Sequence, residues 1–290
     1  MSAPKSRSLP LATGISCHLL EWGDASKETL LLIHGFLDNA WSWESTVNAG
    51  LAERFHVLAP DMRGHGDSDR IGSGGYYHFM DYVADLASIV ESTRQPQVSL
   101  VGHSMGGSIV AYFAGAFPER CRRVALLEGM GPPEQNDSAP ERVARWVEAS
   151  KRARVRNNTG YASLDAAAER LLGTDQLLKK DVARRLAGKG ARLESDGKWR
   201  FKHDPLHLTT GPYPFRRSVA ESFWKRISCP VLLVEGADSP YRALEETELR
   251  SQYLRHARKS LLSDAGHMLQ RHQPEALARL LIQHLDAPTP

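Results

Sequence analysis

The sequence predicts an α/β protein whose mainly parallel β-sheet is covered by helices on both faces. Short apolar runs rich in Leu, Val and Ile alternate along the chain with segments of helical periodicity. The alternation is interrupted once, by a long segment with helical spacing. A single Ser also stands between glycines at the boundary between one apolar run and the next helix. In a parallel sheet this boundary lies at the carboxyl edge of the strands, where α/β proteins place their sites.

The strand candidates are short and close to continuously apolar, as expected for strands buried on both faces. They are Leu30–Ile33, Val57–Ala59, Val98–Val101, Val124–Leu127, Val231–Val234 and Ser260–Leu262. The helix candidates between and after them are Tyr82–Ser92, Ser108–Phe117, Leu244–Leu254 and Pro274–Leu285. The basic N-terminal stretch MSAPKSRSLP has no apolar core behind it, so we expect a frayed tail and not a signal peptide.

Residues 132–215 break the pattern and predict an all-helical insertion that lies over the strand ends as a cap. The insertion is bounded by the Pro- and Gly-rich stretches GPPEQNDSAP and TTGPYPF. It contains sixteen Lys and Arg against eleven Asp and Glu, a net charge of +5. This excess could attract an anionic substrate, although solvated helix faces usually explain such charge. The predicted domains are therefore a core at 1–131 and 216–290 and a cap at 132–215.

The stretch Gly102-His-Ser-Met-Gly106 fits the G-x-S-x-G nucleophile elbow, with an apolar strand before it and a helix after it. A reversal this tight strains the backbone of its central residue and tolerates only small neighbours. The strain would hold the Ser104 hydroxyl exposed at the positive end of the following helix. Ser104 is therefore the candidate nucleophile.

A serine hydroxyl needs a base to take its proton, and His267 is the candidate. It follows the last predicted strand in the stretch Asp264-Ala-Gly-His267, at the same sheet edge as Ser104. His272, one turn further, is a weaker competitor. His34, His65 and His103 belong to Gly-containing turns, and we expect them to shape those turns.

Two carboxylates follow strands at this edge, and either could orient His267. Asp238 follows VLLVEG, and Glu128 ends VALLE. Both satisfy the chain order Ser, acid, His that such elbows show. We favour Asp238 and keep Glu128 as the alternative, because distance cannot be read from sequence.

An acyl-transfer site also needs two N–H donors where negative charge develops. The backbone amide of Met105, next after the nucleophile, is the first candidate. The second is the amide of Phe36, in the turn that Gly35 opens after the first predicted strand. A third tight stretch, Asp61–Ser68, mixes Asp, Arg and His. It lacks the ligand spacing of a zinc site, so we interpret it as a structural turn tied by internal hydrogen bonds.

Composition limits the classes of function. A hydrophobic content of 41% and a net charge of +3 are typical of a globular protein and do not indicate a nucleic-acid partner. No apolar stretch approaches the ~20 residues that cross a bilayer. The three scattered cysteines, Cys17, Cys121 and Cys229, predict buried free thiols and a reducing, cytoplasmic location. No cofactor or metal is expected, and the expected partner is a small ester or acyl substrate.

The motifs HGFLDN, DMRGHGDS, GHSMGG, GADSP and AGHMLQRHQPE occur in an order and spacing that resemble the α/β-hydrolase family. The resemblance covers residues 14–131 and 216–286. It implies an eight-stranded sheet, a cap between the sixth and seventh strands, a Ser104/Asp238/His267 triad and oxyanion donors at Phe36 and Met105. Much of the family carries its acid where this chain has Ser239, one residue after Asp238, and some relatives carry it where this chain has Glu128.

With Ser at the elbow, the resemblance implies an acyl-enzyme, unlike the epoxide hydrolases and haloalkane dehalogenases, which use Asp there. The leading hypothesis is a serine esterase for a small or medium carboxylic ester. One alternative is a hydrolase of C–C bonds in a ring-cleavage diketo acid, which cap arginines facing Ser104 would favour. Another is a ligand receptor built on the hydrolase fold.

Overall fold

The computed structural model describes residues 3–135, 137–242 and 244–287. Its main sheet has eight strands, and a separate pair of strands lies between the sixth and seventh of them. In chain order the strands are β1 (Lys5–Pro10), β2 (Ser16–Trp22), β3 (Thr29–Ile33), β4 (His56–Pro60), β5 (Val98–His103), β6 (Cys121–Leu127), β7 (Ala191–Leu193), β8 (Trp199–Phe201), β9 (Val231–Gly236) and β10 (Ala257–Leu262).

The α-helices, like the strands, are numbered in chain order. They are α1 (Glu44–Thr46), α2 (Ala52–Arg54), α3 (Phe79–Ser92), α4 (Met105–Ala116), α5 (Ala139–Arg154), α6 (Leu164–Leu172), α7 (Lys180–Gly190), α8 (Arg217–Trp224), α9 (Leu244–Ser251), α10 (Leu269–His272) and α11 (Pro274–Leu285). Short 3₁₀ turns occur at Ala40–Trp43, Pro118–Arg120 and Pro205–Leu208. No helix among the described residues combines the length and apolarity that crossing a membrane requires.

The main sheet has the order β1-β2-β4-β3-β5-β6-β9-β10. β1 pairs antiparallel with β2, and β2 pairs antiparallel with β4; the other neighbours are parallel. The prediction of a mainly parallel eight-stranded sheet is therefore confirmed. The parallel strands end at one edge, where the turns after β3, β5, β6, β9 and β10 come together.

Two apolar layers cover the two faces of the sheet. On one face α3, α4 and α8 contribute buried side chains such as Leu86, Phe113 and Trp224. On the other face α11 contributes Leu277 and Leu281, beside the turns between β3 and β4. Helices on both faces explain why the central parallel strands are mostly apolar, and the prediction of helices on both faces is confirmed.

The N-terminal prediction is wrong. Residues 5–10 of the expected frayed tail form β1, although the first two residues of that tail lie outside the described residues. The strand is exposed along nearly its whole length, so it has no apolar alternation that a sequence pattern could detect. Its backbone is held by pairing with β2, and charged residues on such an edge strand disfavour further pairing. The strand β2 was likewise absent from the predicted strands.

Residues 132–215, which we call the cap segment, contain α5, α6 and α7. They also contain β7 and β8, so the expectation of an insertion without strands is wrong. These strands are three residues long and form an antiparallel pair, too short to give a periodic pattern. α6 and α7 enclose a small apolar cluster of their own around Ala167, Ala183 and Ala187. The division into core and cap domains remains a prediction.

The cap segment contacts the turns at the carboxyl edge of the sheet. The Asp175 carboxylate accepts a hydrogen bond from the His272 ring at 2.7 Å, just beyond β10. The His207 ring stacks on His65, after β4, with ring centroids 4.1 Å apart. The cap segment therefore touches both sides of the edge to which the sequence assigns the site.

Candidate active site

Ser104 lies between β5 and α4 in a backbone conformation that few residues adopt. Its φ is +53° and its ψ is −117°, a strained geometry for a residue with a side chain. The reversal is possible because a Cβ on Gly102 would lie 2.3 Å from the Gly106 carbonyl oxygen. A Cβ on Gly106 would in turn lie 2.2 Å from the Ile33 carbonyl oxygen. Only glycine fits at both positions, which explains the G-x-S-x-G pattern.

The His267 ring connects Ser104 to a carboxylate. The Ser104 hydroxyl donates to His267 Nε2 at 3.0 Å. On the other side of the ring, Nδ1–H donates to Glu128 Oε2 at 2.6 Å. The serine hydroxyl, the imidazole ring and the carboxylate thus form one hydrogen-bonded chain, an arrangement that matches the geometry of a catalytic triad.

The prediction that places the Asp238 carboxylate beside His267 is wrong, because Glu128 occupies that position. Asp238 is exposed, and its amide donates to the Ala265 carbonyl at 2.9 Å. The alternative acid, Glu128, takes the position against His267. It reaches inward because it directly follows the buried strand β6 with a left-handed φ of +47°.

The buried Glu128 carboxylate accepts hydrogen bonds from two donors in addition to His267. The Gly236 amide donates to its Oε1 at 2.8 Å, and the Ser239 hydroxyl donates to its Oε2 at 2.7 Å. Burial raises the pKa of Glu128, but the hydrogen bonds from His267, Ser239 and Gly236 outweigh it and hold that pKa below its usual value. The carboxylate is therefore ionised at neutral pH.

Sequence reasoning missed the role of Ser239. This residue stands where the resemblance places the acid of many relatives, and here its hydroxyl donates to the acid from the neighbouring strand end. A hydroxyl at a position where many relatives carry a carboxylate is the sequence signal that could have revealed this role. A second carboxylate there would face Glu128 and leave two like charges close together.

The competing histidines face elsewhere. His272 Nδ1 accepts from the Gly266 amide at 3.0 Å, and its Nε2–H donates to Asp175, so it does not face Ser104. The His103 ring donates to the His267 carbonyl at 2.7 Å. Burial, followed by the nearby His267, lowers the pKa of His103 to about 3, so this ring is neutral.

The turn histidines bind backbone groups as predicted. His34 Nε2 accepts from the Met62 amide at 2.9 Å, and His65 Nε2 accepts from the Leu37 amide at 3.2 Å. These rings join the turn after β3 to the turn after β4.

The two candidate oxyanion donors lie beside the elbow. Met105 is the first residue of α4, where helical amides have no acceptor within the helix. Phe36 follows Gly35, where a Cβ would lie 3.2 Å from the Ser104 Cβ. The Phe36 side chain is half exposed, at 49%. The turn after β3 therefore approaches the elbow closely at Gly35, the residue before Phe36.

The turn Asp61–Ser68 is tied internally, as predicted. The Asp61 carboxylate accepts from the Ala40 amide at 2.7 Å and from the Asp67 amide at 2.8 Å. His18, Asp61 and Asp67 do place one ligand atom each within 4.8 Å of one another. However, Lys202 donates to Asp67 at 2.7 Å, so a cationic side chain already contacts this group. These carboxylate oxygens already have donors, which favours the structural interpretation.

The three cysteines are free and buried, which confirms the prediction made for each thiol.

The comparisons with known proteins agree with this fold. The family profile of the alpha/beta hydrolase fold matches residues 28–271. The chain therefore belongs to the alpha/beta hydrolase family. Its relatives place it among the hydrolases of that fold.

Two relatives match over nearly their whole length. The chain is 25% identical over 272 residues to an (E)-2-((N-methylformamido)methylene)succinate hydrolase of Acinetobacter baylyi, covering 93% of this chain and 94% of that protein. It is 26% identical over 284 residues to a putative 2-succinyl-6-hydroxy-2,4-cyclohexadiene-1-carboxylate synthase of Bacillus subtilis, covering 96% and 97%. Among solved structures, a hypothetical protein of Pseudomonas aeruginosa PAO1 matches with a TM-score of 0.87 and 26% identity, covering 99% and 100%.

Proposed function

We propose that the protein is a serine hydrolase that cleaves a carboxylic ester through an acyl-enzyme. The observation that carries the proposal is the continuous hydrogen-bonded chain from Ser104 through His267 to Glu128. In this proposal Ser104 is the nucleophile, His267 the base and Glu128 the acid. The amides of Phe36 and Met105 are the oxyanion donors.

The proposed reaction follows from these positions. Ser104 Oγ attacks the ester carbonyl carbon as its proton passes to His267 Nε2, and the two amides stabilise the resulting oxyanion. Glu128 stabilises the imidazolium and keeps the proton on Nδ1. The tetrahedral intermediate then collapses, and His267 gives the proton to the departing alcohol. Water attacks the acyl-enzyme by the same route and releases the carboxylic acid.

The charges of the cap segment favour a substrate without several carboxylates. Many of its cations already have carboxylate partners. The ion pairs include Arg145–Asp137, Arg184–Asp165, Arg185–Glu44, Arg200–Asp196 and Lys202–Asp67. Phe36 and Tyr241 are two exposed aromatic side chains at this site, and the Tyr241 ring packs edge-on against His267 with ring centroids 4.7 Å apart.

A second candidate is hydrolysis of a C–C or related bond in a carboxylate substrate. The Acinetobacter and Bacillus relatives, named as a succinate hydrolase and a carboxylate synthase, favour including such compounds in a screen. The same triad would serve this reaction, so the substrate alone separates the two candidates.

The test is intact-mass analysis after treatment with a fluorophosphonate. We expect one adduct on the wild type and none on Ser104→Ala. Turnover of esters with graded acyl lengths, beside carboxylate-bearing substrates, then assigns the reaction. If the folded wild type takes no label and hydrolyses no ester, the proposal is contradicted and the receptor alternative is favoured.

A further inference from the structure

His65 is a fully buried residue between the candidate oxyanion turn and the cap segment. Its ring contacts the Phe36 ring edge-on, with centroids 6.4 Å apart. The His207 ring of the cap segment stacks on its other side at 4.1 Å. His207 also meets Phe36 edge-on at 6.2 Å. The rings of Phe36, His65 and His207 thus pack against one another at the turn that carries the proposed oxyanion donor.

The hydrogen bonds of His65 define its tautomer. Nδ1–H donates to the Arg63 carbonyl at 3.0 Å. Nε2 therefore carries the lone pair, and it accepts from the Leu37 amide at 3.2 Å. Burial, followed by the nearby His207 and His34, lowers the pKa of His65 well below its usual value. The ring thus remains a neutral acceptor over the range in which hydrolases work.

Leu37 needs this support because its backbone is strained. Its φ is +57°, in the left-handed region that is unfavourable for a residue with a side chain. The Leu37 amide and the Phe36 carbonyl belong to one rigid peptide plane. A bond that holds this plane therefore limits the rotation of Phe36, whose own amide lies on the next plane.

We propose that His65 is a positioning residue that holds the turn Gly35–Leu37 in the shape required for charge stabilisation, while His207 shields its hydrogen bond to Leu37 from water. The inference rests on the proposed function, because it matters for catalysis only if the Phe36 amide is an oxyanion donor. In this proposal the cap segment has a structural role as well as the expected one of covering the substrate, because its residue His207 supports the turn Gly35–Leu37.

Three variants separate positioning from general stability. His65→Phe keeps an aromatic ring for stacking but removes the acceptor. His65→Gln returns an acceptor oxygen near the position of Nε2. His284→Phe is the matched control. His284 lies on α11 and is also buried, and its Nε2–H donates to the Val124 carbonyl at 3.0 Å.

A misplaced oxyanion donor should lower kcat by about 10- to 100-fold in His65→Phe, with KM changed by less than about threefold. Affinity for a trifluoromethyl ketone, which forms a tetrahedral adduct, should fall by the same factor as kcat/KM. His65→Gln should recover most of the loss, and His284→Phe should keep wild-type kcat even if its melting temperature falls. Should His65→Phe not fold, His65→Leu removes the same acceptor with a smaller side chain.

Amide hydrogen exchange at Leu37 gives a readout that does not depend on catalysis. We expect slow exchange in the wild type and in His65→Gln, and fast exchange once the acceptor is removed. If the wild type is active and His65→Phe has the same kcat, the positioning role is overturned while the proposed function stands. The same conclusion follows if His284→Phe loses as much kcat as His65→Phe does. A wild type that hydrolyses no ester and takes no fluorophosphonate overturns the proposed function and this role with it.

Discussion

At the scale of single residues, Glu128 shows how a carboxylate stays ionised inside a protein. Burial opposes its charge, while three donors from two segments stabilise it: His267, and the Gly236 amide and Ser239 hydroxyl at the end of β9. Hydrogen bonds to an ionised group are stronger than neutral ones, so the arrangement both orients His267 and fixes its tautomer.

Replacing the carboxylate by an amide tests which residue is the acid. We expect Glu128→Gln to lower kcat by about 10³- to 10⁴-fold, the scale seen when a triad carboxylate loses its charge. Asp238→Asn should stay within about twofold of wild type, because Asp238 is exposed. Steady-state ester kinetics on both variants decide the point. The reverse ranking would return the role to Asp238.

The same carboxylate predicts a pH dependence of stability. The folded pKa of Glu128 lies below its unfolded value, so the unfolded chain binds the proton more readily. Stability from Glu128 is therefore present above the unfolded pKa and is lost as pH falls through the folded pKa. We expect the free energy of unfolding of the wild type to exceed that of Glu128→Gln at pH 7, with the difference shrinking below about pH 4.5. Urea titrations at pH 7, 5 and 3.5 measure it, and a constant difference would contradict the argument.

At the scale of elements, the elbow depends on close backbone approach. Gly106 in α4 lies against the carbonyl oxygens of Ile33 and His34, the residues that precede the turn of the proposed oxyanion donor Phe36. A methyl group there cannot be accommodated by a side-chain rotation, because its neighbours are backbone atoms. β3, β5 and α4 must separate instead.

Gly106→Ala should therefore lower the free energy of unfolding by about 2–4 kcal/mol, as an overpacked site does. The matched control is Gly74→Ala, where a Cβ would meet nothing within 4 Å. That variant should change stability by less than about 0.5 kcal/mol. Chemical denaturation compares the two, and equal stabilities would refute the steric account.

A second element-scale contact joins the cap segment to the turn that carries His267. The His272 ring accepts from the Gly266 amide and donates to Asp175, so one ring links the two segments. Asp175→Ala leaves a buried N–H without an acceptor and should cost about 1–3 kcal/mol of unfolding free energy. Asp165→Ala removes an exposed ion pair with Arg184 instead and should cost less than about 0.5 kcal/mol. Urea unfolding of both variants tests the difference.

At the scale of the whole molecule, the cysteines report on the integrity of the core. Cys17, Cys121 and Cys229 are all buried in the layer that contains α3, α4 and α8. Burial raises the pKa of Cys17 to about 12 and that of Cys229 to about 11, and it raises the pKa of Cys121 as well. The reactive thiolate is therefore scarce in the folded state.

A thiol reagent at pH 8 should thus label none of the three cysteines in the native protein. In increasing urea, all three should become reactive together, in parallel with the loss of helical circular dichroism. Mass spectrometry counts the adducts. Labelling of one cysteine before the global transition would indicate that its part of the layer opens independently.

The sequence by itself determined the parts of this protein that depend on local pattern. Apolar runs predicted six strands of the sheet because the central parallel strands are buried on both faces and need apolar residues, while only the end of the edge strand β10 was found. The elbow around Ser104 was visible because its strain requires glycine on both sides. The position of His267 followed from the order of the elements.

Tertiary structure alone decided the features that depend on distance between remote segments. β1 is held by its partner strand and not by apolar burial, so no pattern of its own revealed it. Glu128 and Asp238 both follow strands at one edge, and only the packing of β6 against β9 determines which reaches His267. The cap contacts of Asp175 and His207 join residues far apart in the chain. Their geometry is set by packing across the molecule, which local sequence does not encode.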